Sequence, residues 1–388
     1  MPSRIRTRYD VIIAGARCAG ASTALLLARQ GARVLVVDPL PRGRDTLSTH
    51  ALMRGAVLQL HRWGLLDAVR EAGTPEVRTT VFDYADEVVP VPIKARDGVD
   101  ALFAPRRTVL DPILAGAAED AGAHVVHGLA VADLLRDPRG RVRGARLVGG
   151  DGTPVEVEAD LVVGADGVRS RVARLLDAPV ERSGHHATAS IYGYWPGLPR
   201  DEYRWYFRPG VGMGTIPTND GVSCVFVSVT EEAFAGARRE GLGPLFHRAV
   251  RAVDPGLGDR LTPAAGSGTL RGFPGLPGFL RRSWGPGWAL VGDAGYFRDP
   301  LTAHGISDAL RDAELLARAV LRGGDAALRD YQDARDAAAG ALMDVTDRIA
   351  SLSWTPDEVK ELHHELSRAM NGALDVLSGR APLAAAAG

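Results

Sequence analysis

The run Tyr9-Asp10-Val11-Ile12-Ile13-Ala14 breaks at Gly15-Ala16-Arg17-Cys18-Ala19-Gly20, and Arg33-Val34-Leu35-Val36-Val37-Asp38 follows it. The first run is short, apolar and rich in β-branched residues, the pattern of a strand buried on both faces of a parallel sheet. Ala19 to Gly31 has helical composition, with Leu25, Leu26 and Leu27 inside and Gly31 as terminator, and the third stretch is a second buried strand. Strand, tight turn, helix and strand make a βαβ unit with a right-handed crossover. In such a turn glycines let the chain reverse and let a pyrophosphate approach the backbone, facing the N–H groups and positive end of the helix. Gly15 and Gly20 match this pattern, and Arg17 stands at the middle glycine position. Asp38 ends the second strand, where an acid accepts bonds from ribose hydroxyls. Ala16, Arg17, Cys18 and Ala19 therefore join Gly15, Gly20 and Asp38 as candidate dinucleotide contacts.

The 388 residues exceed one ordinary domain, so two domains with a sizeable core are expected. A formal net charge of −1 leaves no excess of either sign to hold a polyanion, which argues against a general nucleic-acid or anionic-membrane binder. Lys94 and Lys360 are the only lysines, yet the many arginines form no basic block. Cys18 and Cys224 are too few for a disulfide framework, and no Cys/His cluster has zinc-ligand spacing, so no metal is expected. The paired histidines His185-His186 and His363-His364 read as solvent-exposed. No apolar run is long enough to span a membrane, and the basic start runs straight into a strand, so the reading is a soluble cytoplasmic protein.

Downstream, Leu52 to Ala72 has helical spacing, Val77 to Val91 alternates as a strand does, and Thr108 to Ala121 reads as a helix ended by Gly122. Ala187 to Val229 is rich in aromatic and β-branched residues broken by Pro-Gly and Asn-Asp-Gly turns, which predicts an antiparallel sheet. Glycine- and proline-rich loop fills Gly266 to Gly287, Trp288 to Val291 is one more buried strand, and helices follow, with Thr355-Pro356-Asp357-Glu358 as a start signal. The expected organisation is a discontinuous first domain (1–75, 101–182 and 266–324), an antiparallel-sheet substrate domain (76–100 and 183–265), a helical segment (325–380) and a frayed tail (381–388).

Two further strands end in Gly and Asp: Leu161-Val162-Val163-Gly164-Ala165-Asp166 before Gly167, and Ala289-Leu290-Val291-Gly292-Asp293 before Ala294. With Pro300 and Gly305 ahead of the next helix, the chain resembles the para-hydroxybenzoate hydroxylase-like class A FAD monooxygenases and their geranylgeranyl-reductase cousins. The resemblance spans Asp10 to Ala313. It implies an α/β fold: a Rossmann-type FAD-binding domain with an inserted antiparallel β-sheet substrate domain and C-terminal helices. It also implies that Asp166 and Gly167 lie near the FAD pyrophosphate and the passing nicotinamide nucleotide, that Gly292 and Asp293 hold the ribitol, and that Pro300 meets the ring edge. Thr302 stands where that family has a glycine. From the residues alone, His304, Gly305 and Ile306 begin a helix whose N–H groups and dipole stabilise negative charge on the reduced ring. Arg107 matches a family arginine on the cofactor, with Arg106 an equal candidate. The loop Asp45 to His50 resembles one that runs beside the flavin, although Ser48 and Thr49 also suit helix capping for Leu52 onward.

Tyr203, Trp205 and Phe207 fall on one face of a strand, as substrate wall or as core, and His50 is a further substrate-lining candidate. Tyr192, Tyr194 and Trp195 add aromatic walls. The resemblance implies an FAD-dependent monooxygenase that uses NAD(P)H and O2 to hydroxylate or epoxidise an aromatic or polyketide-like small molecule through a flavin C4a-hydroperoxide. No general base is assigned. The alternatives are a reductase of prenyl-chain double bonds, a flavin halogenase, disfavoured by the lack of a W-x-W-x-I-P motif and of lysines, and a non-catalytic flavin-binding protein.

Overall fold

The computed structural model describes residues 5–261 and 269–377. The frayed tail expected at 381–388 lies outside the described residues. The chain opens with β1 (Arg8–Ala14), α1 (Cys18–Ala28) and β2 (Val34–Asp38), with β1 and β2 parallel and Ile13 opposite Val36. Helix α1 is buried on nearly every side because it is packed between two other helices, so its apolar residues make no single stripe. Next come α2 (Arg54–Arg62) and α3 (Leu66–Glu71), the hairpin β3 (Thr79–Asp83) and β4 (Val88–Pro92), then α4 (Arg107–Asp120) and β5 (His124–His127). The strands β6 (Leu129–Arg136), β7 (Val142–Gly149) and β8 (Pro154–Gly164) bring the chain back beside β1.

The short α5 (Arg171–Leu175) and β9 (Val180–Ser183) lead to the second sheet, built from β10 (Ala189–Pro196), β11 (Glu202–Arg208), β12 (Val211–Pro217) and β13 (Val222–Val229). It is backed by α6 (Glu231–Glu240), α7 (Leu242–Val253) and α8 (Pro255–Arg260). Then β14 (Arg271–Phe273) pairs with β10, so one strand of this sheet lies beyond residue 265. The segment read as loop up to Gly287 also holds β15 (Phe279–Arg281) and β16 (Trp284–Gly285). After β17 (Trp288–Leu290) and β18 (Tyr296–Phe297), the chain closes with α9 (Gly305–Arg322), α10 (Gly324–Ala350) and α11 (Pro356–Leu377).

The first sheet runs β16-β17-β8-β1-β2-β5, with β6 and β7 continuing from β8. The second runs β14-β10-β13-β12-β11-β3-β4, and its β3–β11 junction is parallel, one exception to the expected antiparallel pairing. Strand alternation gives this sheet two faces. Tyr192, Tyr194, Trp205 and Phe226 join the apolar core that also packs the first sheet, whereas Ile191, Trp195, Tyr206 and Val227 pack under α7. Trp195 therefore stacks on Phe246 at 5.0 Å and cannot share the wall assigned to Tyr194. The start signal at Thr355 forms a reciprocal capping box: Glu358 Oε2 accepts the Thr355 N–H at 2.7 Å, and Thr355 Oγ1 accepts the Glu358 N–H at 3.3 Å.

Candidate functional site

The turn between β1 and α1 is shaped by two close approaches. Gly15 has φ +108° and lies against the Ala165 carbonyl, and a Cβ on Gly20 would collide with the Gly15 carbonyl oxygen. Arg17, at the α1 N-cap, makes no side-chain hydrogen bond to the helix start, so the first N–H groups of α1 remain available to an anion. Asp38 Oδ2 accepts the Ala16 N–H at 3.0 Å and Oδ1 accepts the Leu40 N–H at 2.8 Å, which leaves lone pairs on both oxygens. A shallow open pocket lies here, lined by Ala16, Arg17, Asp38, Leu40, Arg44 and others.

Three strand ends converge beside this turn. Arg107, at the start of α4, donates to Asp111 Oδ1 at 2.9 Å, and the Cys18 thiol donates to the same oxygen at 3.3 Å. Burial raises the Asp293 carboxyl to about 7, against the pull of Arg107 and with Asp308 and Asp312 adding to the rise. The structure thus brings Arg107, Cys18 and Asp293 together. Arg106 faces elsewhere, pairing with Asp45 at 3.3 Å and stacking over the Tyr194 ring at 3.9 Å. Asp111 was missed from sequence, although its i+4 spacing from Arg107 was the available signal. Asp166 abuts the Gly15 turn through its backbone, but its carboxylate accepts the Ser170 hydroxyl and the N–H groups of Arg171 and Val172, capping α5, and Gly167 stands open beside it.

At the other end, Gly292 (φ +60°) turns so closely on α1 that a Cβ there would lie 2.9 Å from that of Ala19. The 3-10 turn Pro300–Thr302 follows, and Ala303 takes the left-handed conformation at φ +53°. The residue in glycine-like geometry is therefore Ala303, one past Thr302, which stands at the position of the family's glycine. Gly305 is exposed at the N-terminus of α9, and the first intrahelical bond there is Asp308 N–H to His304 O, so the N–H groups of Gly305, Ile306 and Ser307 lie ahead of the ladder. His304 Nδ1 donates to Thr302 O at 2.5 Å, and burial with Arg298 nearby pushes its pKa down to about 3. The ring is neutral, and the positive end here is the helix itself. Beneath it, Arg298 and Arg311 pair with Asp308 at 2.8 and 2.9 Å in full burial, ions that the sequence reading passed over.

The aromatic wall is closed. Tyr203 and Phe207 are buried, Phe207 packing on Trp354 and on His363, so both belong to the core and not to an exposed substrate surface. Trp205 lies edge-on to Phe226 in the same layer. His363, expected at the surface, is half-buried and bonded to the Tyr84 hydroxyl at 2.8 Å. His50 is fully buried at φ +68°, its Nε2 2.6 Å from the Tyr194 hydroxyl, and burial with the nearby arginines holds its pKa well below the usual value. Ser48 and Thr49 do not cap α2. Ser48 Oγ accepts the His50 N–H at 2.9 Å, and the Met53 N–H ahead of α2 goes to Ser307 of α9 at 3.3 Å. Burial raises the Cys224 thiol to about 12 and raises that of Cys18 too, so neither is a nucleophile.

A family model described as FAD binding domain matches residues 8–249. A menaquinone reductase of Mycolicibacterium smegmatis is 32% identical, over 85% of this chain and 80% of that protein. The phenazine 1,6-dicarboxylic acid hydroxylase PhzS of Lysobacter antibioticus is 29% identical over 85% and 87%. Among solved structures, P. aeruginosa PqsL in complex with 2-aminobenzoylacetate superposes with a TM-score of 0.74 at 25% identity, covering 89% of this chain and 99% of that one. No helix among the described residues is long and apolar enough to cross a membrane.

Proposed function

Because this chain belongs to the FAD binding domain family, we propose that it is an FAD-dependent monooxygenase that takes reducing equivalents from NAD(P)H and oxygenates an aromatic or apolar small molecule. FAD, when bound, supplies hydride acceptance and the activation of O2. The residues fit that group. The Gly15–Gly20 turn, the α1 N-terminus and Arg107 would hold the pyrophosphate, Asp38 the adenosine ribose, Asp293 a ribitol hydroxyl, and the N–H groups at Gly305 and Ile306 the negative edge of the ring. The buried side chains exclude water, and neutral His50 and His304 leave the helix dipole as the charge-stabilising element.

The observation that carries the reading is the seat of the ring-side turn on the aromatic sheet. A Cβ on Gly212 would lie 2.6 Å from Leu301, so the Pro300 turn rests on the face that bears Tyr194, Trp205 and Phe226, and that apolar face borders the flavin edge. The similarity to a menaquinone reductase supports a second reading, reduction of the substrate in place of its oxygenation. Aerobic turnover with NADPH under 18O2, across phenolic, polyketide and prenyl compounds, separates them by product mass. One labelled oxygen atom is expected; a product that gains two hydrogens and forms equally well without oxygen establishes the reductase instead.

A further inference from the structure

Residues 184–188 carry the chain from β9 into β10, the strand by which it enters the second sheet after α5. Two carboxylates hold this segment. Asp347 of α10 accepts the N–H groups of His185 and His186 at 2.8 and 3.0 Å, and its other oxygen lies 3.1 Å from His186 Nδ1. Asp299, immediately before the Pro300 turn, accepts the Thr188 N–H at 2.6 Å and the Thr188 hydroxyl at 2.9 Å, and its Oδ1 also accepts the Leu301 N–H at 2.9 Å. One buried carboxylate therefore bonds both the residue ahead of β10 and the second residue of the ring-side turn. Strand β10 is the strand that carries Tyr192 and Tyr194.

We propose that Asp299 is a positioning residue: it fixes the ring-side turn to the substrate strand and so sets the distance between the flavin edge and the aromatic wall. This rests on the FAD reading above. The turn's other side-chain hydrogen bonds go to the helices, Arg298 to Asp308 at 2.9 Å and Thr302 to Thr346 at 3.4 Å, so among the described residues Asp299 makes the turn's side-chain hydrogen bond to the segment that enters the sheet. A cap needs one bond to Leu301, which a serine makes without burying a charge, whereas here burial holds the carboxyl up at about 6 while three donors converge on it. Both oxygens are needed, because in either orientation the –NH2 of an asparagine meets a backbone N–H donor to donor, that of Thr188 or that of Leu301.

The test compares FAD-loaded wild type, Asp299→Asn, Thr188→Val and the double variant by FAD per chain, visible circular dichroism of the bound flavin, and the anaerobic rate of flavin reduction by NADPH. Expected are unchanged FAD content, an altered visible band and reduction slowed about tenfold in Asp299→Asn. A smaller change of the same kind is expected in Thr188→Val, with the double variant no worse than Asp299→Asn. A wild-type visible band and reduction rate in Asp299→Asn with only a lowered melting temperature, or additive effects in the double variant, overturn the proposal. Should Asp299→Asn fail to fold, Thr188→Val decides alone, and wild-type flavin behaviour in it counts against the clamp. A wild-type chain that takes up no FAD fails at the earlier step and takes this inference with it.

Discussion

At the scale of single residues, Asp293 and Asp38 are the acids whose removal is most telling. Each loses one charge-assisted hydrogen bond to the cofactor on replacement by alanine, about 1.5–3 kcal/mol, so FAD affinity measured by calorimetry is expected to fall about tenfold to a hundredfold. Asp293 also carries a pH signature. An unperturbed aspartate releases its proton near 3.8, while burial keeps this one protonated up to about 7. Between those limits the folded apoprotein binds more protons than the unfolded chain, so this group's contribution to stability falls as pH rises to about 7 and is level above it. A ribitol hydroxyl donating to the carboxylate favours the charged form, so FAD binding tightens as pH climbs through 7. Asp293→Asn is expected to remove both slopes, in apoprotein melts and in FAD titrations across that range.

At the scale of elements, two helix starts organise the site, and they were legible to different degrees. The α1 start announces itself through Gly15 and Gly20, since no side chain fits between the turn and the helix. Gly20→Ala is expected to push α1 off the Gly15 carbonyl at a cost of about 2–3 kcal/mol or more, with loss of FAD; a variant that melts like wild type and keeps its flavin contradicts this geometry. The α9 start was harder to read. Its left-handed residue is Ala303, which has a Cβ and gives no glycine signal, and the bond that joins Ser307 to the start of α2 crosses hundreds of residues of sequence.

At the scale of the whole molecule, the first sheet and the aromatic face of the second share one apolar core, with the ring-side turn between them. A cofactor seated there touches both layers, and FAD is expected to raise the apoprotein melting temperature in a single transition. At a hundredfold excess over Kd the gain is about 2.7 kcal/mol, or roughly 3 °C for a chain of this length. Two transitions, one insensitive to FAD, would show that the layers unfold apart.

The sequence by itself determined the βαβ unit, the three Gly/Asp strand ends and the cofactor class, because buried parallel strands and phosphate turns are written in contiguous residues. It also supplied the aromatic strand pattern, although not which residues stay open. Tyr203 and Phe207 turned out enclosed and His363 half-buried against Tyr84, Asp166 capped a helix, and Arg106 and Arg107 took separate tasks. Only the tertiary structure decided these, because burial and hydrogen-bond partnership depend on what other segments press against a side chain. The Asp299 to Thr188 contact, between residues 111 positions apart, is such a case: nothing near either residue in the chain announces it, and it exists only because the fold carries β10 past the ring-side turn.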